Sequence, residues 1–250
     1  MHDKNNIVCN DVNERKDDLY VYNQFAESNT SKLPTRKMHP FPCNHPETGA
    51  KIQLVMYRNE FNAVIVWTDG SADPRTNPDP KCGISCWFGD NWYTSQSSPF
   101  TQIPEMADIN KYTNSHLSST EAEACAILMA LVIAHKYKFK FNIEIRTDNM
   151  QCVLKIKSLQ AQPSNDYIMQ LIGKYIWQNL CVGREVMITF VPRDSDYGNR
   201  QADALAFEAR KGNFGHQFGS PIDTSVAKSF QQLNDNRSCP QTKDLHRHNL

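Results

Sequence analysis

The stretch "AVIVWTDG", residues 63–70, decides how the chain is read. Five apolar residues run together and stop at Asp69 and Gly70. A short apolar run closed by a turn signal predicts a strand buried on both faces. It also leaves a carboxylate, Asp69, at the strand's C-terminal end.

Downstream, "CGISCWFGDNWYTSQS" (residues 82–97) reads as two strands joined by a tight turn at Gly89, Asp90 and Asn91. Three consecutive strands predict an antiparallel start. Residues 99–116 read as a polar insertion without clear pattern. "SSTEAEACAILMALVIAHKY" predicts a helix that is apolar on nearly every side, with Ser118, Ser119 or Thr120 as cap and Glu121 and Glu123 in its first turn. "FNIEIRTDN" predicts a fourth strand, because Ile143 and Ile145 alternate with Glu144 and Arg146. Two helices follow, "MQCVLKIKSL" and "PSNDYIMQLIGKYIWQNL", the second capped by Ser164 or Asn165. "REVMITFV" is the fifth strand. "NRQADALAFEARKG" is the last helix, capped by Asn199 and stopped by Gly212.

The order β-β-β-α-β-α-α-β-α predicts a mixed five-stranded α/β sheet with helices on its faces. This organised region spans residues 61–212. Residues 1–60 read as a partly irregular extension with one short strand at "KIQLVMY". Residues 213–250 read as a flexible tail.

Composition narrows the function classes. The 250 residues carry 27 Lys+Arg and 27 Asp+Glu, so no global basic field announces a polyanion partner. Residues 61–212 hold 15 Lys+Arg against 16 Asp+Glu. No apolar run reaches the length of a membrane span, and the N-terminus lacks the apolar core of a signal peptide. The expectation is a soluble intracellular monomer. Eight cysteines are scattered without a CxxC pair, which favours reduced, buried thiols. His39, Cys43 and His45 stand close together in "HPFPCNHP", but a structural zinc site needs four ligands.

Four acids stand out by position. Asp69 and Asp148 close two strands, Glu123 sits in the first turn of an apolar helix, and Asp203 lies inside the last helix among Ala202, Ala204, Leu205 and Ala206. Each alone reads as a cap, a strand-end charge or a solvated helix face. Together they read differently. Open α/β sheets bind ligands at the C-terminal ends of their strands. Neighbouring carboxylates repel unless they share a proton or hold a cation. Oxygen donors without Cys or His suit Mg²⁺ or Mn²⁺.

"VWTDGSA", "SSTEAEACAILMAL", "IRTDN" and "NRQADALA", in that order, resemble the type I ribonuclease H family over residues 61–211. The resemblance implies strand order 3-2-1-4-5 with the first three strands antiparallel. It implies an endonuclease with two divalent ions that cuts the RNA strand of RNA–DNA hybrids and leaves 3′-hydroxyl and 5′-phosphate ends. It implies Asp69, Glu123, Asp148 and Asp203 as metal ligands. Glu121 competes for the helix position, where the family's usual spacing picks the second glutamate. It implies substrate contacts from Gly70, Ser71, Ser119, Thr120 and Asn149, with RNA read through its 2′-hydroxyls.

The sequence departs from the family in three places. Asp194 stands about where the family often has a His, and no His lies between His135 and His216. The basic protrusion of many members is replaced by the short link "LQAQPSND", so hybrid affinity calls for a tail or a protein partner. Lys136, Lys138 and Lys140, with Lys155 and Lys157, form the best local basic cluster. Residues 1–60 do not resemble a hybrid-binding domain. Two further readings follow from these departures: a catalytically silent nucleic-acid-binding module, and a related nuclease of the same superfold.

Overall fold

The computed structural model describes residues 36–37, 41–45, 47–73, 82–113, 117–159, 161–193 and 196–221. Asp194 and His39, singled out above, lie outside the described residues, as do residues 1–35 and 222–250. The strands are β1 (Arg36–Lys37), β2 (Phe41–Asn44), β3 (Lys51–Leu54), β4 (Tyr57–Arg58), β5 (Val64–Ala72), β6 (Cys82–Gly89), β7 (Trp92–Ser97), β8 (Ile143–Thr147), β9 (Val186–Phe190), β10 (Gly215–Phe218) and β11 (Ser220–Pro221). The helices are α1 (Ile109–Thr113), α2 (Ser119–Lys136), α3 (Met150–Ser158), α4 (Tyr167–Cys181) and α5 (Tyr197–Arg210).

The stretch that opened the reading is the central strand. Val64 and Val66 of β5 face one apolar cluster, shared with α2. Ile65 and Trp67 face a second, shared with Trp87 of β6 and Ala202 of α5. Period-two alternation thus buries both faces, which is why the run is continuously apolar. Each side chain so buried contributes roughly 1.5–3 kcal/mol.

β5, β6 and β7 pair antiparallel, while β8 pairs parallel with β5 and β9 parallel with β8. The order across this core is β7-β6-β5-β8-β9, which is 3-2-1-4-5 in chain order, and helices cover both faces. This is the strand order that the resemblance to the ribonuclease H family implies.

Helix α2 is the most buried element. Every residue from Ala122 to Ala134 is buried. Ser118 caps it in a capping box: its hydroxyl accepts the Glu121 N–H, and the Glu121 carboxylate accepts the Ser118 N–H at 2.7 Å. Cys82, Cys86, Cys125 and Cys152 are buried free thiols.

Four expectations are corrected. Residues 99–116 have a pattern: Phe100, Ile103, Met106 and Ile109 recur every third residue, and all are buried in the main core. A 3-10 turn at Pro104–Met106 and α1 carry them, and the Asn110 side chain clamps the Phe100 backbone with bonds of 3.0 and 3.2 Å. Order also continues past Gly212, because β10 pairs with β7 and β11 with β3. Phe218 of β10 buries itself against Trp92, which supplies the driving force. "KIQLVMY" holds two short strands, β3 in a small second sheet and β4 against β5. Finally, Asp166 caps α4 and Asp196 caps α5, since an Asp immediately before each helix reaches its free N–H groups.

The triplet of His39, Cys43 and His45 gives no metal cluster among the described residues. His45 instead accepts the N–H groups of Glu47 and Thr48 at 3.2 Å each, holding a turn. No described helix is long and apolar enough to cross a membrane.

Candidate active site

Register sets the first pair of acids. In the parallel pairing of β5 and β8, Trp67 stands opposite Arg146. Asp69 and Asp148 each follow two residues later, so they emerge side by side at the C-terminal end of the sheet. Gly70 brings the third. A β-carbon there would overlap the backbone of Ala122 and Glu123, so only glycine lets the first turn of α2 lie against the strand. This is a packing requirement of the fold, separate from the substrate contact expected of Gly70.

One carboxylate oxygen from each of Asp69, Glu123 and Asp148 lies within 4.8 Å of the others. Asp69 is 2% exposed and Glu123 4%. Glu121 is held in the capping box, so Glu123 is the glutamate that enters the cluster. The Thr147 hydroxyl donates to Glu123 at 3.4 Å.

Asp203, on α5, lies at the rim of this cluster. Its side chain is 52% exposed, and Arg193 links it to the others: the guanidinium reaches Asp148 at 3.3 Å and Asp203 at 3.6 Å.

The electrostatics follow from this crowding. Burial, then the charges of Asp148 and Asp203, push the Asp69 carboxyl up to about 7, with Arg193 opposing. Burial, then Asp69 and Asp148, also push Glu123 well above the usual range, against a backbone hydrogen bond from Gly70. Asp148 does most to hold the Arg193 guanidinium in its charged form.

This donor set fits a divalent cation. It has three convergent oxygens, too much negative charge for one 71%-exposed guanidinium, and no competing sulfur or imidazole. Asp69, Glu123 and Asp148 would hold the ion, with Asp203 within reach at the rim.

The expected substrate residues surround the acids in varied roles. Ser119 is exposed, and Ser71 and Thr120 are half-buried. Asn149 caps α3, accepting the Cys152 N–H at 3.0 Å.

A second network lies on the α5 side of the sheet, and sequence reading missed it. Arg146 is 2% exposed and pairs with buried Glu144 at 3.0 Å. It also reaches Asp196 at 3.4 Å, and Asp196 accepts the Trp67 indole N–H at 2.9 Å and the Asn199 backbone N–H at 2.8 Å. Asp196 is thus a capping and pairing residue. It ties the start of α5, which carries Asp203, to β8, which leads to Asp148. The available signal was the Glu-x-Arg spacing, which puts both charges on one face of a buried strand.

Residues 106–209 match the family model described as reverse transcriptase-like. The match takes in Glu123, Asp148 and Asp203 and begins after Asp69. No curated protein matches the chain. Among solved structures, the foamy viral protease-reverse transcriptase in complex with dsDNA is 17% identical, covering 59% of this chain and 94% of that one, at a TM-score of 0.42. LC11-RNase H1 in complex with RNA/DNA hybrid is 18% identical, covering 59% and 96%, at 0.41. LC9-RNase H1, a type 1 RNase H with the type 2 active-site motif, is 16% identical, covering 66% and 83%, at 0.42.

Proposed function

We propose that the domain is a divalent-metal-dependent endonuclease that hydrolyses the RNA strand of RNA–DNA hybrids, leaving 3′-hydroxyl and 5′-phosphate ends. One observation carries this reading: two buried carboxylates, Asp69 and Glu123, and the partly exposed Asp148 converge within 4.8 Å at the C-terminal end of a ribonuclease H-like sheet. Asp69, Glu123, Asp148 and Asp203 would hold two ions, Mg²⁺ or Mn²⁺. When bound, such ions activate a water for attack and stabilise the leaving 3′-oxygen.

The chain's own residues supply the rest. Asp69 and Glu123 are fixed in place by β5, α2 and the Gly70 contact, so little reorganisation precedes reaction. Asp203, at the exposed rim, meets the substrate side of the cluster. Arg193 offers a charge-assisted donor to a phosphate oxygen of the bound strand. Ser71, Ser119, Thr120 and Asn149 form the polar border that meets the minor groove. The near-neutral domain needs a tail or a partner protein to raise hybrid affinity.

A second reading, a silent nucleic-acid-binding module of the same fold, is favoured by Arg193, whose cation already bridges Asp148 and Asp203. Cleavage of an end-labelled hybrid, duplex RNA and duplex DNA separates the readings. Hybrid-selective RNA cutting with 5′-phosphate products is expected. Loss of hybrid selectivity would indicate a related nuclease, and no cutting with no saturable metal binding would indicate the silent module.

A further inference from the structure

At the opposite end of α2 from the acids lies a cavity of about 270 Å³. Glu123 and Tyr137 are fourteen residues apart along the helix, which puts the cavity about 20 Å from the acidic cluster. Its wall is aromatic, built from Trp92, Tyr137, Phe139, Phe141 and Phe218. The rings brace one another: Trp92 stacks on Phe88 at 4.3 Å and packs edgewise on Phe218 at 4.4 Å and Phe139 at 5.0 Å. The wall is therefore preformed.

Two features point to a ligand. Tyr137, Phe139 and Phe141 are only half-buried, so their rings offer surface to the cavity. The second feature is charge. In the segment Lys136 to Phe141, exposed lysines alternate with half-buried rings, and Lys138 and Lys140 line the cavity. No acid is among the described lining residues, and Glu47 stands outside the wall at 3.5 Å from the Tyr137 hydroxyl. Ring faces and a cationic rim together suit a planar aromatic ring flanked by phosphates.

We propose that this cavity takes one unpaired base of single-stranded nucleic acid, with neighbouring phosphates on Lys138 and Lys140. Stacking reads neither base sequence nor sugar, so RNA and DNA strands bind alike. The cavity size suits a single base, since pockets for larger ligands start at about 300 Å³. The site stands apart from the hydrolytic reading and holds whether or not the acids cut.

The test is fluorescence anisotropy of labelled ten-residue oligouridylate and oligothymidylate, in EDTA so that nothing is cleaved. Both are expected to bind the full chain with similar affinity. Lys138→Asn with Lys140→Gln changes two exposed side chains, and Asn suits the left-handed backbone at Lys138 (φ 50°). The double variant is expected to bind about tenfold more weakly, with a salt dependence shallower by about 1.4. A 4-thiothymidine in the strand is expected to cross-link to residues 137–141 or Trp92. Unchanged affinity in the double variant, or cross-links confined to the acidic end, would overturn the proposal. Lysine-dependent binding of an acidic aromatic peptide with no oligonucleotide binding would overturn it in favour of a protein partner.

Discussion

Asp69 and Asp148 emerge side by side because β5 and β8 run parallel with Trp67 opposite Arg146. Two carboxylates so placed cannot both ionise cheaply away from water. The fold stores that repulsion at one end of its sheet, and a divalent cation would release it.

The first consequence is a pH dependence of stability. Burial and the neighbouring Asp148 and Asp203 push Asp69 up to about 7 in the folded, metal-free protein. The folded state then keeps a proton that the unfolded chain releases near pH 4. The stabilising contribution is fully present below that value and is lost as pH rises through about 7. Glu123 shifts in the same direction. Urea denaturation in EDTA is expected to show stability falling from pH 5 to pH 8. Asp69→Asn is expected to flatten that slope and to stabilise the protein at pH 8 by on the order of 1–3 kcal/mol. A wild-type stability that rises over this range would contradict the placement.

The two glutamates at the start of α2 separate cleanly. Glu121 closes the capping box, while Glu123 joins the cluster. Glutamine also serves in a capping box. Glu121→Gln is therefore expected to leave Mg²⁺ affinity unchanged, while Glu123→Gln weakens it about tenfold or more. Calorimetric titration reads both, and equal losses would show that the capping assignment is wrong.

Sequence alone left that choice open for a physical reason. Every residue from Ala122 to Ala134 is buried, so helical periodicity carries no information about which face meets the acids. The central strand was legible because both of its faces are apolar, although it runs on past Asp69 and Gly70 to Ala72, where pairing with β6 continues it. The succession of elements along the chain was legible because each had its own punctuation, while the strand order was implied only by the family resemblance. The insertion was read as patternless, yet Phe100, Ile103, Met106 and Ile109 keep a three-residue spacing diluted by polar neighbours. The role of Asp196 was not legible because its partners, Trp67 and Arg146, are 129 and 50 residues away in sequence. Strand pairing past Gly212 depends on an edge, β7, that only the folded sheet supplies.

Gly70 is expected to tolerate no side chain. Alanine there would drive its β-carbon into the backbone of Ala122 and Glu123, which cannot move without displacing α2. Gly70→Ala should cost about 3 kcal/mol or more. Thermal or urea unfolding measures this, and a loss below about 1 kcal/mol would mean that helix and strand are not in contact here.

The Asp196 network predicts a graded loss. Asp196→Ala removes the α5 cap, the acceptor for the Trp67 indole and one partner of buried Arg146. The cost should be about 2–3 kcal/mol. Asp196→Asn keeps a capping oxygen and should cost about 1 kcal/mol. Equal stabilities for both variants and wild type would contradict the network.

The central claim is that the buried acids make a metal-dependent hydrolytic site for RNA paired with DNA. The most direct measurement is the cleavage rate of a 5′-labelled RNA strand in a hybrid, with Mg²⁺, for the wild type and Asp69→Asn side by side. The account predicts cleavage by the wild type that EDTA abolishes, and a rate at least about 100-fold lower in the variant. Equal rates in the two proteins would contradict it.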